Sequence, residues 1–207
     1  VQIGSKQTDD VALRGGTLLA DGGALTVLGR IILIDSGNWW SGETKGGKLT
    51  IGKDSDSISI HGKGGIYARG AAVDILGKQI SIQADTDNAL MNDGGPITVG
   101  GEDTESINVS GGIVSHGSQI SLEGKNVSIS KGKQDNAIYT DGGSVTVKAA
   151  GGNTAHISGP IRNKYGKIDI SLTGRANHLD SQIITEKTGL FTNIALTDKA
   201  SWNLSDN

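Results

Sequence analysis

Apolar and polar residues alternate along this chain in short bursts, and the bursts recur at a fixed interval. The clearest are Leu25/Val27, Leu49/Ile51, Val73/Ile75, Ile97/Val99, Ile120/Leu122 and Val145/Val147, each pair enclosing one polar residue. Alternation with period two turns one side of a strand toward a core and the other toward water. A second burst follows, as in Ser57-Ile58-Ser59-Ile60, Gln79-Ile80-Ser81-Ile82 and Asn126-Val127-Ser128-Ile129. A third closes the set: Ile66-Tyr67-Ala68, Leu90-Met91-Asn92, Ile113-Val114-Ser115 and Ile138-Tyr139-Thr140. The pattern predicts three strands per unit, each with polar positions facing water.

Glycine punctuates the units. Gly22, Gly46, Gly70, Gly94, Gly117, Gly142, Gly166 and Gly189 are spaced by 24, 24, 24, 23, 25, 24 and 23 residues. A period in the twenties with strand-type alternation is the signature of a solenoid, whose units bury their apolar faces only by stacking. The expected fold is all-β, a right-handed parallel β-helix with three sheets and about eight to nine coils of ~24 residues. The repeat spans about residues 22–190 of a single unit covering 1–207. At the usual strand spacing of ~4.8 Å the rod would be on the order of 40 Å long. Glycine suits a corner because it accepts positive φ and lets the next coil approach closely.

A longer period overlies the first. Gly46-Gly47, Gly94-Gly95 and Gly142-Gly143 recur at 48 residues, as do Asp87-Asn88-Ala89-Leu90 and Asp135-Asn136-Ala137-Ile138. Coils should therefore alternate between a short and a long first turn.

Composition narrows the function classes. Aromatics are 3% against 35% hydrophobic residues, so the core is aliphatic. Net charge is −3 without a basic block, which lacks the electrostatic footprint of a nucleic-acid or anionic-membrane binder. There is no apolar run long enough for a transmembrane helix. The chain begins at Val1 without a charged-then-apolar leader, as expected of a mature product or a piece of something longer. Cysteine is absent, which removes disulfides, thiolate chemistry and Cys-based metal sites.

The glycine corners, the period near 24 and the Ser/Thr/Asn-rich outer positions resemble the passenger domains of Gram-negative autotransporters, of the AIDA-like, antigen-43-like and pertactin-like type. The segment Asn193-Ile194-Ala195-Leu196 followed by Lys199-Ala200-Ser201-Trp202-Asn203-Leu204-Ser205 is similar to the strand-then-Trp pattern near the C-terminal end of such passengers. Leu196, Trp202 and Leu204 take its apolar positions, so residues 191–207 would begin the C-terminal passenger segment. The resemblance implies type V secretion, folding outside the cell, and a membrane barrel encoded downstream of this fragment, which is not itself membrane-embedded. It also implies a cell-surface adhesin without cofactor or catalysis, meeting a host protein or glycan or a second copy of itself.

Candidate binding residues are few. Thr26, Thr50, Thr98 and Thr146 align with Ser121 on the outer side of the first strand, interrupted by Asp74 and Asp169. Such a column could dock a partner, although Thr also simply suits a half-exposed strand. Trp39 and Trp40 are adjacent, so one could project outward to stack on a sugar, or both could fill an irregular early coil. Asp21, Lys45, Arg69, Asp93, His116, Asp141 and Tyr165 precede the corner glycines and read as a ladder of weak surface ion pairs. The acidic turns around Asp54 and Glu102 read as solvated rather than calcium-binding. His61, His116, His156 and His178 show no metal-like spacing and no common strand position.

Three functions remain: an adhesive surface stalk, a β-helical polysaccharide-degrading enzyme, or a structural segment like filamentous haemagglutinin or a phage tail fibre. Short turns and scarce aromatics favour the first, since sugar-cleaving sites need paired carboxylates in a groove.

Overall fold

The structure is a computed structural model, and it describes residues 1–132, 135–151, 154–187 and 190–203. Gly189 and Leu204 lie outside the described residues. Every strand pairing is parallel, and the described residues include no helix. Three ladders run the length of the molecule. The first face stacks residues 2–4, 25–28, 49–51, 73–75, 97–100, 119–124, 144–149, 167–173 and 191–197. The second runs from 10–14 through 57–62 and 106–110 to 201–203. The third runs from 18–21 through 66–69 and 113–116 to 183–185. Strands Ile31–Lys45 and Leu49–Arg69 continue round their corners, so the faces form one wound sheet. The chain is thus a parallel β-solenoid of about eight turns, as the period requires.

Inward residues lie in register from coil to coil. Val27, Ile51, Ile75, Val99, Leu122 and Val147 are completely buried on the first face, and Ile66, Leu90, Ile113, Ile138 and Ile161 on the third. Burying each such side chain contributes roughly 1.5–3 kcal/mol. The contacts continue as one cluster from Val11 to Leu179.

The two reasons for glycine at a corner fall on different residues of each pair. Gly46 and Gly94 both adopt φ of +77°, which a side chain would strain. Gly47 and Gly95 instead touch the coil below: a Cβ there would stand 2.2 Å from the carbonyl oxygens of Gly23 and Ala71 respectively.

The third face departs from the expected polarity. Its inward column after the Ile/Leu positions is polar at most rungs, with Thr44, Asn92, Ser115, Thr140 and Asn163 fully buried beside Ala20 and Ala68, while Tyr67, Met91, Val114 and Tyr139 face outward. The expectation of polar-out strands is corrected there. The reason is the corner, where backbone groups that bend out of the ladder need partners. Thr44 Oγ1 accepts from the Arg69 amide at 3.0 Å and donates to the Ala71 carbonyl at 3.0 Å. Asn92 Oδ1 accepts from the His116 amide at 2.8 Å, and Ser115 Oγ donates to the Ser118 carbonyl at 2.7 Å.

Turn lengths alternate as the longer period implies. The inward positions flanking the first turn are five residues apart in Val27/Ile32, Ile75/Ile80 and Leu122/Val127, but seven or eight in Ile51/Ile58 and Val99/Ile107. The long turns tuck a hydroxyl inside: Ser55 Oγ donates to the Gly29 carbonyl at 2.6 Å, and Thr104 Oγ1 to that of Gly77 at 2.8 Å.

Candidate functional site

The outward column of the third face is a half-buried strip that groups aromatic and apolar side chains, with Tyr67 only 8% exposed. Tyr67, Met91, Val114, Tyr139 and Arg162 occupy successive rungs in register. Trp40 joins them from the turn before the strand, where the register slips between Ser36 and Trp40. Gly64 leaves the space for its indole, since a Cβ there would stand 2.8 Å from Trp40 Cε3. The indole packs on Tyr67 with ring centroids 5.1 Å apart, tilted by 38°. Beyond, His116 meets the Tyr139 ring edge-on at 6.2 Å.

Polar groups rim this strip. Asp87, Asn88 and Asn136 come from the same turn of coils two apart, which is what the 48-residue repeat encodes. Together with the aromatic column they line an open trough of about 580 Å³. Asp87 is the one carboxylate among its lining residues. Arg69 lies over the Tyr67 ring at 4.8 Å from its centroid, a cation–π contact. Burial, and then the charge of Asp141, raise the Tyr139 hydroxyl above its ordinary pKa, so it remains a neutral donor near neutrality. Asp141 itself is lowered, chiefly by the hydrogen bond from Lys164 at 2.9 Å.

The residues singled out from the sequence fall in several places. Trp40 is part of the trough, and Trp39 is 68% exposed beside it, so neither fills the core. Thr26, Thr50, Thr98 and Thr146 do form one column of the first face, on a different ladder from the trough. Ion pairs cross that column, Lys48 to Asp74 at 2.5 Å and Lys167 to Asp169 at 2.7 Å, so its surface is charged and solvated. The corner column aligns as expected, but its members do not pair with one another among the described residues. Arg69 reaches Glu43 at 3.9 Å and Asp141 takes Lys164, both off the column. Around the acidic turns, Asp54 is paired with Lys6 at 2.5 Å and Asp56 with Lys78 at 2.7 Å.

The histidine reading needs correcting. His156 and His178 share a position on the second face and are direct register partners. Their 22-residue separation departs from the glycine interval, because only four residues separate strand Ile161–Thr173 from His178–Asp180 where five separate Ile138–Ala150 from His156–Ser158. In the C-terminal pattern, Leu196 stacks on Leu172 and Trp202 on Leu179, with the indole Nε1 donating to the Ser181 carbonyl at 3.0 Å.

Comparison with protein-family models, curated proteins and solved structures gave no match. No helix among the described residues is long and apolar enough to cross a membrane. What fold and site define together is a class: a β-solenoid with an aromatic-lined lateral trough.

Proposed function

We propose that this chain is a non-catalytic adhesive rod of the autotransporter-passenger type, displayed outside a Gram-negative cell, and that the third-face trough is its adhesive surface. The observation that carries the proposal is the grouping of half-buried Trp40, Met91 and Tyr139 around the covered ring of Tyr67 on one outer strip of a protein poor in aromatics. An aromatic ring offers an apolar face with a polar edge, which matches the C–H face and hydroxyl rim of a sugar ring. The amide of Asn136, with the guanidinium of Arg162 that also reaches Glu186 at 3.5 Å, supplies the orienting hydrogen bonds such a ligand requires. From Tyr67 to Tyr139 the strip covers three coil steps, about 15 Å at the usual strand spacing. That length suits an extended saccharide of several units.

The export route and the surface location rest on the glycine-corner repeat and the Trp202 pattern. A single lining carboxylate favours binding over hydrolysis, which needs two. The test is a printed glycan array probed with labelled protein. Retention on a defined saccharide class without cleavage supports the proposal. Release of reducing or unsaturated ends would favour the enzyme reading instead, and binding to none of the printed classes would remove the glycan assignment.

A further inference from the structure

A cluster of nitrogen and oxygen donors lies on the second face, on a different ladder from the trough. The parallel register sets His156 directly against His178, and their rings stack with centroids 4.0 Å apart and planes 28° apart. Two residues further along the same strand, Asp180 turns its Oδ2 toward both rings, 2.8 Å from His156 Nε2 and 3.6 Å from His178 Nε2. All three donor atoms lie within 4.8 Å of one another, and one imidazole has to turn out of the stack for both Nε2 lone pairs to point at a shared ion.

We propose that His156, His178 and Asp180 form a binding site for a divalent transition-metal ion of the zinc, nickel or copper class. Four observations carry it. A tetrahedral ion with bonds of ~2.0–2.2 Å separates neighbouring donor atoms by roughly 3.3 Å, between the two distances found here. His178 Nδ1 lies 3.1 Å from the Ala176 carbonyl, a contact that holds the proton on Nδ1 and leaves Nε2 free to coordinate. The other oxygen of Asp180 accepts from Asn203 Nδ2 at 2.9 Å, which fixes the carboxylate from the next coil. The side chains are 34%, 37% and 33% exposed, so an ion can enter and retain water at its remaining position. Two imidazoles with one carboxylate suit the softer divalent ions, whereas calcium and magnesium require more oxygens. The ion would clip together the coils that carry residues 156 and 178, stabilising the end of the rod through its preference for the folded state.

The test is calorimetric titration of zinc into the chelator-stripped, full chain, followed by imidazole NMR on the same unaltered protein. One saturable site is expected, with the ring signals of His156 and His178 moving together while those of His61 and His116 stay. His178→Gln and Asp180→Asn should each weaken zinc affinity about tenfold or more, Asn203→Ala less, and His116→Gln not at all. Calcium should give no saturable heat. An absence of saturable zinc binding, zinc shifts spread equally over all four histidines, or unchanged affinity in folded His178→Gln would overturn the proposal and leave an ordinary His–Asp hydrogen bond.

Discussion

Thr140 donates its hydroxyl hydrogen to Asn163 Oδ1 at 2.9 Å across two coils, and both side chains are wholly buried. Asn163 Nδ2 in turn lies within donating distance of the Gly166 and Phe191 carbonyls, at 3.3 and 3.1 Å. This polar ladder is the inner lining of the third face, and it holds the corners to which the trough is attached. Asn163→Leu should lower the urea midpoint, because each buried group left unpartnered costs about 1–3 kcal/mol. An unchanged midpoint would mean the ladder contributes nothing.

The first face gives a sharper contrast. Val99 is fully buried and Thr98 exposed one residue earlier. Val99→Asp should unfold the surrounding coils, since an unpaired carboxylate in an apolar core is costly. Thr98→Asn should leave the melt within about 0.5 kcal/mol of the parent. The reverse ranking in thermal melts would mean the strand is assigned inside out.

Glycine pairs allow a similar separation. Gly95→Ala drives a methyl into the Ala71 carbonyl, 2.2 Å from its ideal position, and the backbone must shift. Gly94→Ala meets only the Gly70 backbone at an ordinary 3.9 Å but keeps a positive φ, at a cost of about 1–2 kcal/mol. Gly16→Ala meets neither obstacle. Stability should fall in the order Gly16→Ala, Gly94→Ala, Gly95→Ala, as read from denaturant midpoints.

His61 supplies a pH prediction. Its Nε2 lies 3.1 Å from Asp85 and its Nδ1 3.3 Å from Asp35, on the coils above and below. The hydrogen bond to Asp85 is the largest influence raising its pKa, with Asp35 adding to it and slight burial opposing. A raised folded-state value means the stabilisation is complete below the unfolded value of ~6.5 and fades as pH rises through the folded one. Because the ring is 41% exposed, the gain is small. NMR titration should find His61 above its ordinary value and Asp85→Asn should bring it down; no response to that substitution would contradict the assignment.

How much of this was legible beforehand depended on whether pattern or partner decides a position. Val27, Ile51 and Val99 announce themselves because one polar residue separates each from the apolar residue before it, and stacking repeats the message. Ile66-Tyr67-Ala68 and Leu90-Met91-Asn92 carry no such message, since adjacent apolar residues fit either side of a strand. Asn92 goes inside because the His116 amide needs an acceptor at the corner, a demand visible only once the coil is closed. Tyr67 and Met91 then have to face outward, which creates the trough. Trp40 stands out by its rarity, but its place depends on the register slip after Ser36 and the gap above Gly64. The pairing of His156 with His178 was hidden by unequal turns, which displace identical strand positions from an exact 24-residue interval.

The central claim is that the trough, not the threonine column, meets the ligand. The most direct measurement is calorimetric affinity for the saccharide class retained on the array, compared across Trp40→Ala, Tyr139→Ala, Thr50→Ala and Thr146→Ala. Truncating a Trp or Tyr anchor of a binding surface commonly costs about 2 kcal/mol or more, so the two aromatic variants should bind roughly tenfold weaker or worse and the two threonine variants like the parent. Equal affinity in all four, or losses confined to the threonine variants, would contradict the account.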